Sequence, residues 1–188
     1  LQVMLLQADY NRAESLIASW VSDPQDLGSQ QQANSLLSRI TPLLVKHQEA
    51  INEQVDTLLT EIDELEEGDI LKARERDLQR LQGVAARATY FAAWSNYYLA
   101  LVSEAAPNAA SYITARDTFR KFLGIDETPI EDAEAEWLGL ESIWRARALI
   151  GLGLSESACG ASESCDLCFQ LLEHSSVPGQ IKEQAPYW

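Results

Sequence analysis

Histidine, methionine and cysteine are all scarce in this chain of 188 residues, which has two, one and three of them respectively. Histidine is the side chain whose ordinary pKa suits proton transfer near neutrality. With only His47 and His174 present, general acid–base chemistry would fall to a strongly shifted carboxylate, and no candidate stands out. Cys159, Cys165 and Cys168 are an odd number confined to one short stretch, which does not describe a disulfide framework and leaves the redox compartment open. Basic residues are outnumbered, 14 against 29 acidic, for a formal net charge of −15. Such a chain is repelled at long range by phosphate backbones and anionic membrane surfaces, so nucleic acid is not an expected partner. No apolar run reaches the ~18 residues that a membrane-spanning helix needs. Leu1 to Leu6 is an apolar patch without the basic flank of a signal peptide. A phosphate-binding glycine loop, His-Glu-x-x-His, Gly-x-Ser-x-Gly and a di-iron Glu-x-x-His pair are all missing. The chain starts at Leu1 and its sole methionine is Met4, which reads as a processed or excised piece of a larger protein.

What is abundant is the vocabulary of helices. Alanine and leucine number 24 and 26, against 7 valines and 11 isoleucines, a helix-former's balance. Nine glycines and six prolines punctuate it. Leu6, Tyr10, Ala13, Ile17 and Trp20 recur every three or four positions as one amphipathic helix, which Asp23-Pro24 stops. Ser29 and Gln32 have capping-box spacing ahead of Ala33, Leu36, Leu37 and Ile40. Thr41-Pro42 is either a cap followed by proline at the first helical position or a kink in one longer helix. Ile51, Val55, Leu58, Ile62 and Leu65 alternate four and three apart, a heptad-like seam that wants a straight partner. Gly68-Asp69 offers a stop and a new start. Leu71, Leu78, Leu81, Ala85, Ala88 and Ala92 then continue the period to about Val102, which predicts a long antiparallel hairpin.

Further on, Ala106-Pro107-Asn108 opens a helix ending near Gly124. Thr128-Pro129-Ile130-Glu131 combines a cap, a first-position proline and a capping-box Glu, and predicts a helix running to about Gly153. A polar loop over 155–160, a helix to about His174 and a new start at Ser176-Val177-Pro178 complete the pattern.

Sliding the chain by about 50 residues places Trp94 on Trp144, Leu99 on Leu149, Ala115 on Cys165 and Phe119 on Phe169, a spacing of the kind produced by stacked helical hairpins. Each unit is a helix carrying Trp, a loop, and a shorter helix carrying small-x-x-x-Phe, with Pro129 or Pro178 nine or ten residues later. On Ala115, Phe119 and Pro129, then Cys165, Phe169 and Pro178, the chain resembles the tetratricopeptide-like (TPR-like) α-solenoids. The resemblance implies an all-α fold of antiparallel helical hairpins stacked as a solenoid or bundle, and the habit of binding peptides or proteins on a concave face. It covers roughly residues 84–188. The expected organisation is an N-terminal helical hairpin or coiled-coil-like region over 1–83, followed by repeats at 84–128 and 129–177 and the start of a third at 178–188.

Two side-chain groupings invite chemistry. Tyr90, Phe91, Trp94, Tyr97 and Tyr98 crowd two turns of one helix, and inter-helix packing is the plain account of them. The sharper account has Tyr97 or Tyr98 lining a groove with Arg87, Arg145 and Arg147, since aromatics and Arg anchor recognition surfaces. The expected binding set is therefore Arg87, Tyr90, Trp94, Tyr97, Tyr98, Arg145 and Arg147. Cys159, Cys165, Cys168 and His174 hold the donors of a Cys₃His zinc site, but buried structural cysteines are the ordinary case. Among the charges, Lys72, Arg74, Arg76 and Arg80 interleave with Glu75 and Asp77 as a solvated face. The acidic run from Glu61 to Asp69 lacks the pattern of a calcium loop.

The reading is a non-enzymatic protein- or peptide-binding scaffold without a cofactor, a fragment of a larger protein. The alternatives are a structural accessory domain of a larger enzyme or cell-envelope assembly, or a Cys/His metal- or redox-responsive module. The protein or peptide partner, the oligomeric state and the compartment stay open, the bacterial cytoplasm and the soluble part of an envelope protein both being compatible.

Overall fold

The structure, a computed structural model, describes residues 2–66 and 68–184; Glu67 of the acidic run and residues 185–188 of the expected third unit lie outside these. Among the described residues the chain is all-α, with seven α-helices, one 3₁₀ turn and no strand. The helices are α1 (Gln2–Ser22), α2 (Leu27–Asp63), α3 (Asp69–Val102), α4 (Ala110–Leu123), α5 (Ile143–Ala158), α6 (Ser162–Leu171) and α7 (Gly179–Gln184). Each of α1 to α5 packs on the next, and the odd-numbered helices also touch one another in turn, α1 on α3, α3 on α5 and α5 on α7. Short connections and this two-row contact pattern make a stack of helical hairpins.

One hydrophobic core runs from Leu6 to Ile181. The expected boundary after residue 83 falls inside α3. On α1 the stripe Leu6, Tyr10, Ala13 and Ile17 is buried as its period requires. The α2 cap is Asp26 rather than Ser29: its carboxylate accepts from the Ser29 amide at 3.0 Å and from the Ser29 hydroxyl at 2.6 Å. Thr41-Pro42 does not start a helix. The 37-residue α2 continues through Pro42 as one longer helix; Pro42 is exposed, as is Ser38, the residue whose carbonyl the missing amide would have met.

Ile51 and Ala85 are the last and first buried side chains of α2 and α3 in this region, each 9% exposed. No described residue between them is buried. Helical rise of 1.5 Å per residue lets this hairpin project roughly 25 Å beyond the body. Its seam residues Val55, Leu58, Ile62, Leu71, Leu78 and Leu81 are half-buried, and Arg74 approaches Glu61 across the hairpin at 3.6 Å.

The helix expected over 129–153 is corrected by the structure. Ile130–Asp132 is a 3₁₀ turn, Ala133 is extended, a run of turns follows, and α5 starts only at Ile143. Like-charged neighbours explain the break: Glu131 and Glu134, then Asp132 and Glu136, stand three and four apart and would repel on one helical face. The turns instead drop Ile130, Ala133, Ala135, Leu138 and Leu140 into the core. The polar loop expected at 155–160 is also shorter, because α5 continues to Ala158. Ser155 is buried and bonds the Gly151 carbonyl at 2.7 Å, while buried Glu156 pairs with Arg120 of α4 at 2.8 Å.

Phe119 and Phe169, equivalent under the 50-residue shift, both meet glycines of α5. A Cβ at Gly151 would come within 2.3 Å of the Phe119 ring, and one at Gly153 within 3.0 Å of the Phe169 ring. Helix α4 ends on Gly124 in the left-handed conformation, φ 76°, whose amide meets the carbonyls of Arg120 and Lys121.

Candidate binding cleft between three helices

Helices α1, α3 and α5 diverge enough on one face to leave a cleft of about 420 Å³. Gln7, Tyr10, Asn11 and Glu14 of α1 form one wall, three and four residues apart and so on a single helical face. Tyr90 and Phe91 of α3 form the floor. Glu141, Ile143, Trp144 and Arg147, at and just before the start of α5, close the other side. The aromatic walls interlock edge to face: Trp144 lies 4.7 Å from Tyr90 and 5.9 Å from Phe91, and Tyr10 lies 4.9 Å from Phe91. Such geometry sets the positive ring edge against the negative ring face. Trp144 nevertheless stays 44% exposed, and Ile143 beside it 43%.

Glu14 organises the polar end. One of its carboxylate oxygens accepts from the Arg147 guanidinium at 3.0 Å and from the Tyr98 hydroxyl at 3.3 Å. The Tyr10 hydroxyl is buried among Glu14, Tyr90, Tyr98 and Arg147 without a hydrogen-bond partner. Burial, reinforced by Glu14, holds the Tyr10 and Tyr98 phenols well above their ordinary pKa. Burial likewise pushes Tyr90 up to about 12, against the pull of Arg147. For Arg147, burial works against the charge, but Tyr90 and Glu14 outweigh it and its pKa is raised. These tyrosines are therefore neutral hydrogen-bonding groups at physiological pH.

The expected binding residues separate into three groups. Tyr90 and Arg147 line this cleft, and exposed Arg87 borders a smaller neighbouring one with Ala86, Phe122 and Trp144. Trp94, Tyr97 and Tyr98 belong to the core, 1%, 8% and 1% exposed. Arg145 is turned away: its Nε donates to the Leu138 carbonyl and its Nη2 to the Leu123 carbonyl at 2.7 Å, pinning the turns before α5 to the end of α4. Neither Glu14 nor Tyr10 carries a sequence signal for this cleft, because α1 falls in the expected N-terminal region over 1–83. In the sequence Trp144 stands out only as the repeat partner of Trp94, although a bulky aromatic in the first helical turn is well placed to stay exposed.

The four candidate metal donors are not gathered. No group of three or more His, Cys, Asp or Glu positioned to hold a metal ion occurs among the described residues. Cys168 is buried, its Cβ 3.2 Å from where a Gly153 side chain would start, and burial pushes its thiol up to about 12. His174 instead approaches Glu136 at 3.1 Å and Ser176 at 3.0 Å. That pair stands at the edge of a third cleft, about 570 Å³, with Glu131, Glu134 and Glu173 around an apolar floor that includes Ala133 and Leu167.

No described helix is long and apolar enough to cross a membrane. Comparison with protein-family models, with curated proteins and with solved structures gave no match to this chain.

Proposed function

We propose that the chain is a non-enzymatic scaffold that binds a protein or peptide segment, built from TPR-like stacked hairpins, with the cleft on the odd-numbered helices as its contact surface. The supporting observation is the cleft itself, where three successive odd-numbered helices contribute to one concavity and leave Trp144 exposed at its edge. Partly exposed aromatics beside a paired Arg are the composition expected of binding anchors.

Trp144→Ala is the variant that tests this, since Trp144 protrudes whereas Tyr98, being buried, would report folding. A photo-crosslinking residue at position 143 should join a bound partner, and one at Ile113, exposed on α4, should not. Trp144→Ala should abolish the adduct at 143 while leaving the melting temperature within a few degrees. Adducts at both positions, or their survival in Trp144→Ala, would remove the cleft from the account.

A second reading, a structural accessory domain of a larger enzyme or cell-envelope assembly, draws on the projecting hairpin, which offers long helices with no buried side chain among its described residues.

A further inference from the structure

We propose that the α1–α3–α5 cleft accepts a lysine or arginine side chain from a basic partner segment, an inference that rests on the cleft being where a partner binds. Three features of the cleft and one of the whole chain converge on a cation. Trp144, 44% exposed, and half-buried Phe91 offer aromatic surface at the cleft that attracts a cationic head, and the apolar stem of Lys or Arg packs along such surfaces.

The lining residues carry two carboxylates, Glu14 and Glu141, against one guanidinium, Arg147. Arg147 is matched by Glu14, while Glu141 makes no salt bridge among the described residues. Arg145 is close enough to offset part of the Glu141 charge, but its guanidinium donates to two backbone carbonyls, which leaves the Glu141 oxygens as acceptors for an incoming cation.

The Tyr10 hydroxyl is the third feature. It is buried, without a partner, and beside the Glu14 carboxylate. A phenol oxygen has acceptor lone pairs that suit an incoming ammonium or guanidinium, and a buried polar group left unpaired carries a penalty that such a ligand removes. Finally, a net charge of −15 steers basic segments toward the chain and acidic ones away from it.

The test is calorimetric titration of the full chain with three short peptides in which alanine alternates with lysine, glutamine or glutamate. The lysine peptide should bind, and binding should weaken about tenfold in Trp144→Ala and in Glu141→Lys. Glu173→Lys changes the net charge equally but sits at the other cleft, and should cost less than about twofold. Tyr10→Phe should weaken binding while leaving the melting temperature unchanged or raised, because the lost hydroxyl had no partner to lose.

Equal losses in Glu141→Lys and Glu173→Lys would reduce the effect to overall charge and overturn the proposal. A loss in Glu173→Lys alone would place the basic segment in the other cleft and overturn it too. If the glutamine or glutamate peptide binds as tightly and is lost in Trp144→Ala, the cleft survives as a binding site and the basic preference fails. Failure of all three peptides to bind overturns the basic preference, while the adduct at position 143 decides separately whether the cleft is a binding site.

Discussion

Gly151 sits mid-helix, where glycine is ordinarily about 1 kcal/mol worse than alanine, so its place in α5 needs a cause. That cause is the Phe119 ring, which a Cβ at this position would approach to 2.3 Å. Gly151→Ala should therefore destabilise the fold by about 1–3 kcal/mol despite alanine's better propensity, since extra volume in a packed core forces side chains out of place. Urea unfolding reads the loss, and adding Phe119→Leu should recover part of it, as expected for residues in contact. An unchanged or raised midpoint in Gly151→Ala would mean that the ring moves aside freely. Only half of this contact was legible in the sequence. The small-x-x-x-Phe pattern marked Ala115 and Phe119 as packing residues, but nothing in a linear reading says which glycine a ring will meet. The same limit explains the tyrosines of α3. Periodicity tells which residues share a face, and Tyr90, Trp94, Tyr97 and Tyr98, at i, i+4, i+7 and i+8, share one. Whether that face meets solvent depends on how many neighbours the helix has. Helix α3 is enclosed by α1, α2, α4 and α5, so residues expected at a groove became core.

At the scale of elements, the long periodic helices were readable because their apolar spacing, stops and caps agree with one another. The stretch from Ile130 to Ser142 was not, because a strong capping tetrad pointed to a helix while the acidic spacing after it opposed one. What holds this stretch is a side chain outside it. Arg145 reaches back to the Leu138 carbonyl and across to the Leu123 carbonyl, one of the last carbonyls of α4 without an intrahelical partner. Arg145→Met should cost about 1.5–3 kcal/mol, the range for hydrogen bonds to a charged donor. It should also speed amide hydrogen exchange over residues 138–142 more than elsewhere. Lysine should not rescue it, since one ammonium lacks the planar fork that serves two carbonyls at once. Uniformly faster exchange across the chain would instead assign Arg145 to global stability.

For the whole molecule, the unequal distribution of burial matters more than the helix count. Side chains from α1 to α7 share one core, while the ends of α2 and α3 form an arm in which no described residue between Ile51 and Ala85 is buried. Heptad spacing made this hairpin visible in the sequence, but its separation from the body was not, because a seam satisfied by one partner helix has the same pattern as one that also faces a core. The arm's seam is half-exposed, so its apolar contribution per residue is small, and α2 and α3 already lie side by side where it leaves the body. Replacing residues 52–84 by a short glycine-serine turn exchanges a long, weakly held excursion for a short loop, whose closure is no more costly in entropy. The melting temperature of the body should accordingly stay within a few degrees, and the Trp144 cleft should keep its peptide affinity, since none of its lining residues comes from the arm. A collapse of the thermal transition on excision would show that the hairpin nucleates α2 and α3. In that case the long helices hold the stack together through their full length rather than through the buried half alone.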